Sequence, residues 1–172
     1  MNYDMDDKTL YKSSYLSPIG VLQILCDKEY LLALSFNDNK ELVNIKEDNN
    51  LQIIVDIKKW LDDYFMGKNP NKGNIKVRLI GTEFQKEVWN ILESISYGES
   101  TSYGDIARKI AEKKEINKMS CQAVGHAIHM NPIAMIIPCH RVLGSNGELT
   151  GYRFGLDRKK YLLDLENIKY QR

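Results

Sequence analysis

Apolar positions follow two different rhythms along the chain. Up to residue 36 they come in short runs. Residues 10–17 read as a strand rich in Tyr and Ser, Val21, Leu22, Ile24 and Leu25 as a second, and Leu31, Leu32, Leu34 and Phe36 as a third. Ser17-Pro18-Ile19-Gly20 and Asp27-Lys28-Glu29 punctuate the runs, and three strands joined by short turns predict an antiparallel meander. The polar stretch Asn37 to Asn50 predicts a loop with a short element. Ile54, Ile57, Leu61, Tyr64 and Phe65 then recur at helical spacing and predict a helix over 51–65. Gly67 to Gly73 is the best linker candidate, and 75–80 reads as a last strand.

Beyond residue 80 the period becomes helical. Thr82 and Gln85 form a capping-box pattern, and Phe84, Val88, Ile91, Leu92 and Ile95 line one face behind it. Tyr97-Gly98-Glu99 ends that helix. Another starts at Ser102 to Ala107, a third covers about 120–130, and a C-terminal helix ends near Glu166. Two short helices joined by a turn, the second carrying small residues, predict a helix-turn-helix. The expected fold is therefore α+β in two domains, residues 1–80 built on a sheet with a helix and residues 81–172 mostly helical.

Composition narrows the function. Of the 172 residues, 43% are apolar and 27% charged, as in an ordinary globular protein. Net charge is +1, divided as −1 over residues 1–80 and +2 over 81–172, so nucleic-acid binding would have to rest on a local patch. Cys26, Cys121 and Cys139 have no paired spacing, which argues against a disulfide framework and fits a reducing compartment. Zinc-ligand spacings are missing, so no metal site is expected. Asp56, Asp62 and Asp63 share one predicted helix with Lys58 and Lys59 and read as a solvated face. Met1 to Asp7 is acidic rather than signal-like, and no apolar run reaches membrane-spanning length. A cytoplasmic protein is expected, or a nuclear one in a eukaryote, with no membrane partner.

The chemistry concentrates in Ile136-Ile137-Pro138-Cys139-His140-Arg141-Val142. The thiolate is the reactive form of Cys, and a free thiol with a pKa of roughly 8.5 is mostly protonated at neutral pH. Neighbouring His and Arg are residue types that raise the ionised fraction. Pro138 fixes its own φ and biases Ile137 toward an extended conformation, which aims the next side chain. A buried strand end holding a small apolar Cys fits these residues equally well.

The surroundings separate the two readings. Asn131-Pro132-Ile133 precedes the stretch, and Gly144-Ser145-Asn146-Gly147, Leu149-Thr150-Gly151-Tyr152 and the helix toward Glu166 follow it. From about Gly81 to Glu166 the chain resembles the methylated-DNA–protein-cysteine methyltransferases, also called O6-alkylguanine-DNA alkyltransferases. The Ser-Pro-Ile-Gly turn resembles the start of that family's N-terminal domain. The resemblance implies a ribonuclease-H-like N-terminal domain and a winged-helix-like C-terminal one. It also implies single-turnover transfer of a methyl or other alkyl group from O6 of guanine, and O4 of thymine, to Cys139, with no cofactor. The implied partner is double-stranded DNA containing O6-alkylguanine, met by a monomer.

Roles follow from the same resemblance. Cys139 is the nucleophile, His140 a base acting through water, Glu166 the holder of the imidazole, and Asn131 the turn-stabilising asparagine. Tyr103 donates to ring N3 of the departing guanine. The helix carrying Cys121, Gln122, Ala123 and Gly125 enters the minor groove, with Arg141 and Tyr103 also at the DNA. Spacing alone would favour a close helix–helix contact for those small residues. Backbone groups of Cys139 and Val142, with the Tyr152-Arg153 loop, read the guanine edge. A methyl lying within the base stack requires the nucleotide to be flipped out.

Two departures stand out. Gln122 occupies the position of an arginine that fills the gap left by the flipped base. Phe154 stands where several members have a small residue, and is expected to line the alkyl pocket and exclude bulky adducts. A binding-only homologue would lack the Cys, a winged-helix regulator would leave Pro-Cys-His-Arg and Glu166 idle, and a thiol redox sensor would need exposure and a resolving Cys.

Overall fold

The computed structural model describes residues 9–36 and 42–171; the acidic Met1 to Asp7 start and part of the Asn37 to Asn50 loop lie outside them. The chain divides into two compact units, Met1–Arg78 and Leu79–Arg172.

In the first unit the strand runs become β1 (Tyr11–Ser17), β2 (Gly20–Cys26) and β3 (Tyr30–Ser35), paired antiparallel in sequence order. Pro18 and Ile19 form the two-residue turn, and Gly20 takes φ 120°, a value only glycine adopts readily. Asp27 closes the second turn by accepting the N–H groups of Glu29 and Tyr30, both at 2.7 Å. Two short strands, β4 (Lys46–Glu47) and β5 (Lys76–Val77), add parallel edges beside β1 and β3, so the sheet is mixed. The strand expected over 75–80 is confined to the two residues of β5. Helix α1 (Gln52–Phe65) buries Ile53, Ile54, Ile57, Leu61 and Tyr64. Gly67 to Gly73 is no linker: it lies inside this unit, with the Trp60 indole donating to the Pro70 carbonyl at 3.2 Å.

In the second unit, Thr82 and Gln85 make the reciprocal capping box that starts α2 (Glu83–Glu93). Helices α3 (Tyr103–Lys113) and α4 (Cys121–His129) form the helix-turn-helix, each opened by a serine, Ser102 or Ser120, whose hydroxyl accepts a first-turn N–H. Trp89, which the face of α2 read from the sequence leaves out, is the large anchor of this core. It is fully buried, its indole N–H donates to the Ala127 carbonyl of α4 at 2.8 Å, and its ring covers Gly81 so closely that a Cβ there would clash at 2.6 Å. A two-stranded parallel pair, β6 (Thr101–Ser102) with β7 (Val142–Leu143), ties the start of α3 to the segment after Cys139. Helix α5 (Leu156–Leu165) closes the unit, with Leu163, Leu143 and Ile168 forming one cluster.

Candidate active site

The loop after α4 is fixed by one side chain. Asn131 is buried; its Oδ1 accepts the Ile133 N–H at 3.0 Å and its Nδ2 donates to the Ile137 carbonyl at 2.8 Å. Pro138 has φ −82° and ψ 67°, and the Cys139 N–H donates to the Ile137 carbonyl at 2.8 Å. That is an inverse γ-turn, a conformation proline's fixed φ favours. Cys139, His140 and Arg141 then make one 3-10 turn, not the end of a strand. Successive side chains in such a turn diverge by roughly 120°, so Cys139 and His140 point different ways.

His140 points inward. It is fully buried, and its Nε2 donates to Glu166 Oε1 at 2.6 Å, just past the end of α5. Arg141 binds the same carboxylate, Nε to Oε2 at 2.7 Å and Nη2 to Oε1 at 3.1 Å, and its Nη1 donates to the Ile95 carbonyl at 2.6 Å. Arg141 is thus a buried clamp on Glu166. That overturns its expected place at the DNA, because its donors are turned inward and engaged. Burial works against ionising Glu166, but the bonds from His140 and Arg141 outweigh it and hold the carboxyl at about 2. Burial pushes the His140 imidazole below its ordinary value, and Glu166 offsets this only in part. With the carboxylate accepting from Nε2, Nδ1 is the basic nitrogen of the neutral ring.

Cys139 faces the other way, onto a cavity of about 120 Å³. Tyr103 of α3, Gly125, Ile128 and His129 of α4, and the loop Gly151-Tyr152-Arg153 form its walls. Burial pushes the Cys139 thiol up, opposed by a hydrogen bond from Asn131 and by the charges of Lys159 and Arg153. Burial also raises the Tyr103 phenol, which keeps it a donor.

Lys159 is the residue the sequence reading missed. It is fully buried on α5, and its ammonium donates to the carbonyls of Val142 at 2.6 Å, Thr150 at 2.6 Å and Gly151 at 3.1 Å. It holds the cavity loop against the segment after Cys139. Burial lowers it to about 8, with Cys139 pulling the other way. One Lys between Arg158 and Lys160 in a charged C-terminal helix gives no sequence signal of this.

Other expected site residues fall less simply. Cys121, Gln122 and Ala123 are exposed on the first turn of α4, whereas Gly125 faces the Tyr103 ring, where a Cβ would stand 3.7 Å away. Val142 is buried; its N–H donates to the Cys139 carbonyl and its own carbonyl accepts from Lys159. It is not among the residues that line the cavity. Phe154 is not on the wall either. It is buried behind Tyr152, ring to ring edge-on at 5.5 Å. Arg153 lies over the Phe154 ring and donates to the Asn131 carbonyl at 3.3 Å. Among the described residues no cluster of His, Cys, Asp or Glu could hold a metal, and no helix is long and apolar enough to cross a membrane. Asp62 and Asp63 are instead engaged by Tyr15 and Lys68.

Comparison with known proteins bears on this geometry. Residues 10–79 match the family model for the 6-O-methylguanine DNA methyltransferase ribonuclease-like domain, and residues 83–168 that for the DNA binding domain. The chain is 41% identical to a methylated-DNA–protein-cysteine methyltransferase of Methanosarcina acetivorans, over 91% of this chain and 98% of that protein. A relative of the same name from Haemophilus influenzae is 38% identical over 94% and 88%. The crystal structure of Mycobacterium tuberculosis OGT in complex with DNA superposes with a TM-score of 0.80 at 36% identity, covering 91% of this chain and 92% of that one.

Proposed function

The chain belongs to the 6-O-methylguanine DNA methyltransferase family, and on that footing we propose that it repairs DNA by moving an alkyl group from O6 of guanine onto Cys139. The observation that carries the assignment is a cysteine on the wall of a cavity, with a buried His140–Glu166 pair directly behind it.

The chemistry runs from that arrangement. A base flipped from the stack of double-stranded DNA enters the cavity, and Gln122 on the exposed turn of α4 takes its place. The Cys139 thiol, protonated at rest because it is buried, gives its proton through water to His140. The sulfur attacks the alkyl carbon in line with the C–O6 bond. Tyr103 donates to ring N3 as charge spreads into the departing guanine. The Gly151-Tyr152-Arg153 loop, clasped by Lys159, supports the base edge. Asn131 holds the turn that presents the sulfur. The product is a thioether, and among the described residues no second cysteine lines the cavity to reverse it, so each molecule acts once. O4 of alkylated thymine presents the same electrophilic carbon and is a second substrate. The protein acts as a monomer.

Peptide mass spectrometry after incubation with a duplex holding one O6-methylguanine tests this. One methyl on the Cys139 peptide, stoichiometric and missing in Cys139→Ala, is expected. Tight binding to the lesion without methyl gain would replace transfer by recognition alone.

A further inference from the structure

Tyr152 lines the cavity with Cys139, and its hydroxyl oxygen is buried with no hydrogen-bond partner. Native proteins rarely leave such a group unpaired. The ring is not placed to find a partner by swinging away. Phe154 packs edge-on against it, and the turn before it is held at Thr150 and Gly151 by the Lys159 ammonium. Burial, with Cys139 adding to it, pushes the phenol well above its ordinary range, so Tyr152 offers a proton to share and not a charge.

We propose that the Tyr152 hydroxyl is a catalytic hydrogen-bond donor to the leaving O6 oxygen, distinct from the contact of Tyr103 at the ring. The inference rests on the alkyl-transfer reading. Its partner must arrive with the substrate and must lie close to the sulfur. In an in-line displacement the sulfur, the carbon and O6 are collinear. The methyl carbon accepts nothing, and O6 is the atom that gains charge. The S–C bond forms as the C–O6 bond breaks, and the bonding pair stays on O6 and spreads into the ring. The guanine anion then takes a proton at N1 from water. Tyr152 keeps its own proton throughout. A donor already fixed at that point need not reorganise as charge develops, and the substrate's O6 gives the hydroxyl an acceptor.

Single-turnover transfer at saturating protein separates this from a packing role. Wild type and Tyr152→Phe are compared on duplexes carrying O6-methylguanine or S6-methyl-6-thioguanine, which puts a poor acceptor at the same place. Tyr152→Phe is expected to be about 100-fold slower on the oxygen substrate and little changed on the sulfur one. Its melting temperature is expected to be equal or higher, because no hydrogen bond to a protein group is lost. Equal rates, equal slowing on both duplexes, faster transfer, or a lower melting temperature would overturn the proposal. A wild type that gains no methyl from the oxygen duplex would overturn the underlying alkyl-transfer reading instead.

Discussion

Replacing Glu166 by Gln removes one negative charge from a site where two partners depend on it. A carboxyl held at about 2 rather than 4.5 binds its proton less well in the fold by about 3 kcal/mol, at roughly 1.4 kcal/mol per pH unit. The stabilisation is complete above the unfolded value of 4.5, and is lost as pH falls toward 2. Removing one member of a buried charge pair costs about 3–5 kcal/mol, because the other is left buried; here that is Arg141, with only the Ile95 carbonyl remaining among its contacts described above. The two routes agree, and for a domain of this size they correspond to a melting temperature lowered by roughly 15 °C. Urea unfolding followed by Trp89 fluorescence in a Trp60→Phe background measures it. At pH 7 Glu166→Gln is expected to be less stable by about 3 kcal/mol, and the gap should close between about pH 4.5 and pH 2. A deficit under about 1 kcal/mol at pH 7, or one that stays constant down the pH range, would refute the reasoning.

The other expectations rest on single residues. Gln122→Arg adds a cation to the exposed turn of α4, so DNA binding should tighten at low salt, with a salt slope steeper by about 0.9; unchanged binding would remove Gln122 from the interface. The fold lowers Lys159 from 10.5 to about 8, so the unfolded chain binds the extra proton between those values and stability should rise with pH across that window. Lys159→Met should not show that rise, and parallel curves for the two proteins would show that the ammonium is not desolvated as described. Phe154→Ala should cost about 3–5 kcal/mol from the cavity it leaves. It should also let Tyr152 recede, raising benzyl transfer relative to methyl transfer; an unchanged ratio would show that Phe154 does not restrict the alkyl group through Tyr152.

Much of this was legible in the sequence because local rules and the fold agree. Short apolar runs between turns placed the meander, the 3.6-residue period placed α1, and Thr82 with Gln85 announced a cap that forms. Failures came where long-range contacts decide. Gly67 to Gly73 has linker composition, but the Trp60 indole ties it down, and no local pattern reports that bond. The resemblance placed Arg141 at the DNA, whereas the fold brings Glu166 within 2.7 Å of it. Phe154 and Tyr152 are near neighbours in sequence, yet only the structure shows which forms the wall and which stands behind it. Lys159 was invisible because its partners are backbone carbonyls, which every sequence has everywhere.

On the proposed function, those long-range contacts also let a buried thiol act as a nucleophile. Burial alone would leave Cys139 protonated and His140 neutral, and both shifts run that way. On the proposed mechanism that resting state is an advantage, since a protonated thiol and a neutral imidazole are a donor and an acceptor awaiting one proton transfer. The transfer makes a thiolate and an imidazolium, and each meets a fixed opposite charge. The imidazolium forms against Glu166, already ionised and held by Arg141. The thiolate forms in the field of Lys159 and Arg153. Separating charge in a low-dielectric site is costly unless its counter-charges are already in place. Here they are held by groups with other work, Glu166 by an arginine clamp and Lys159 by the loop it clasps. The contacts that make the fold also set the charge pattern that the proposed reaction needs.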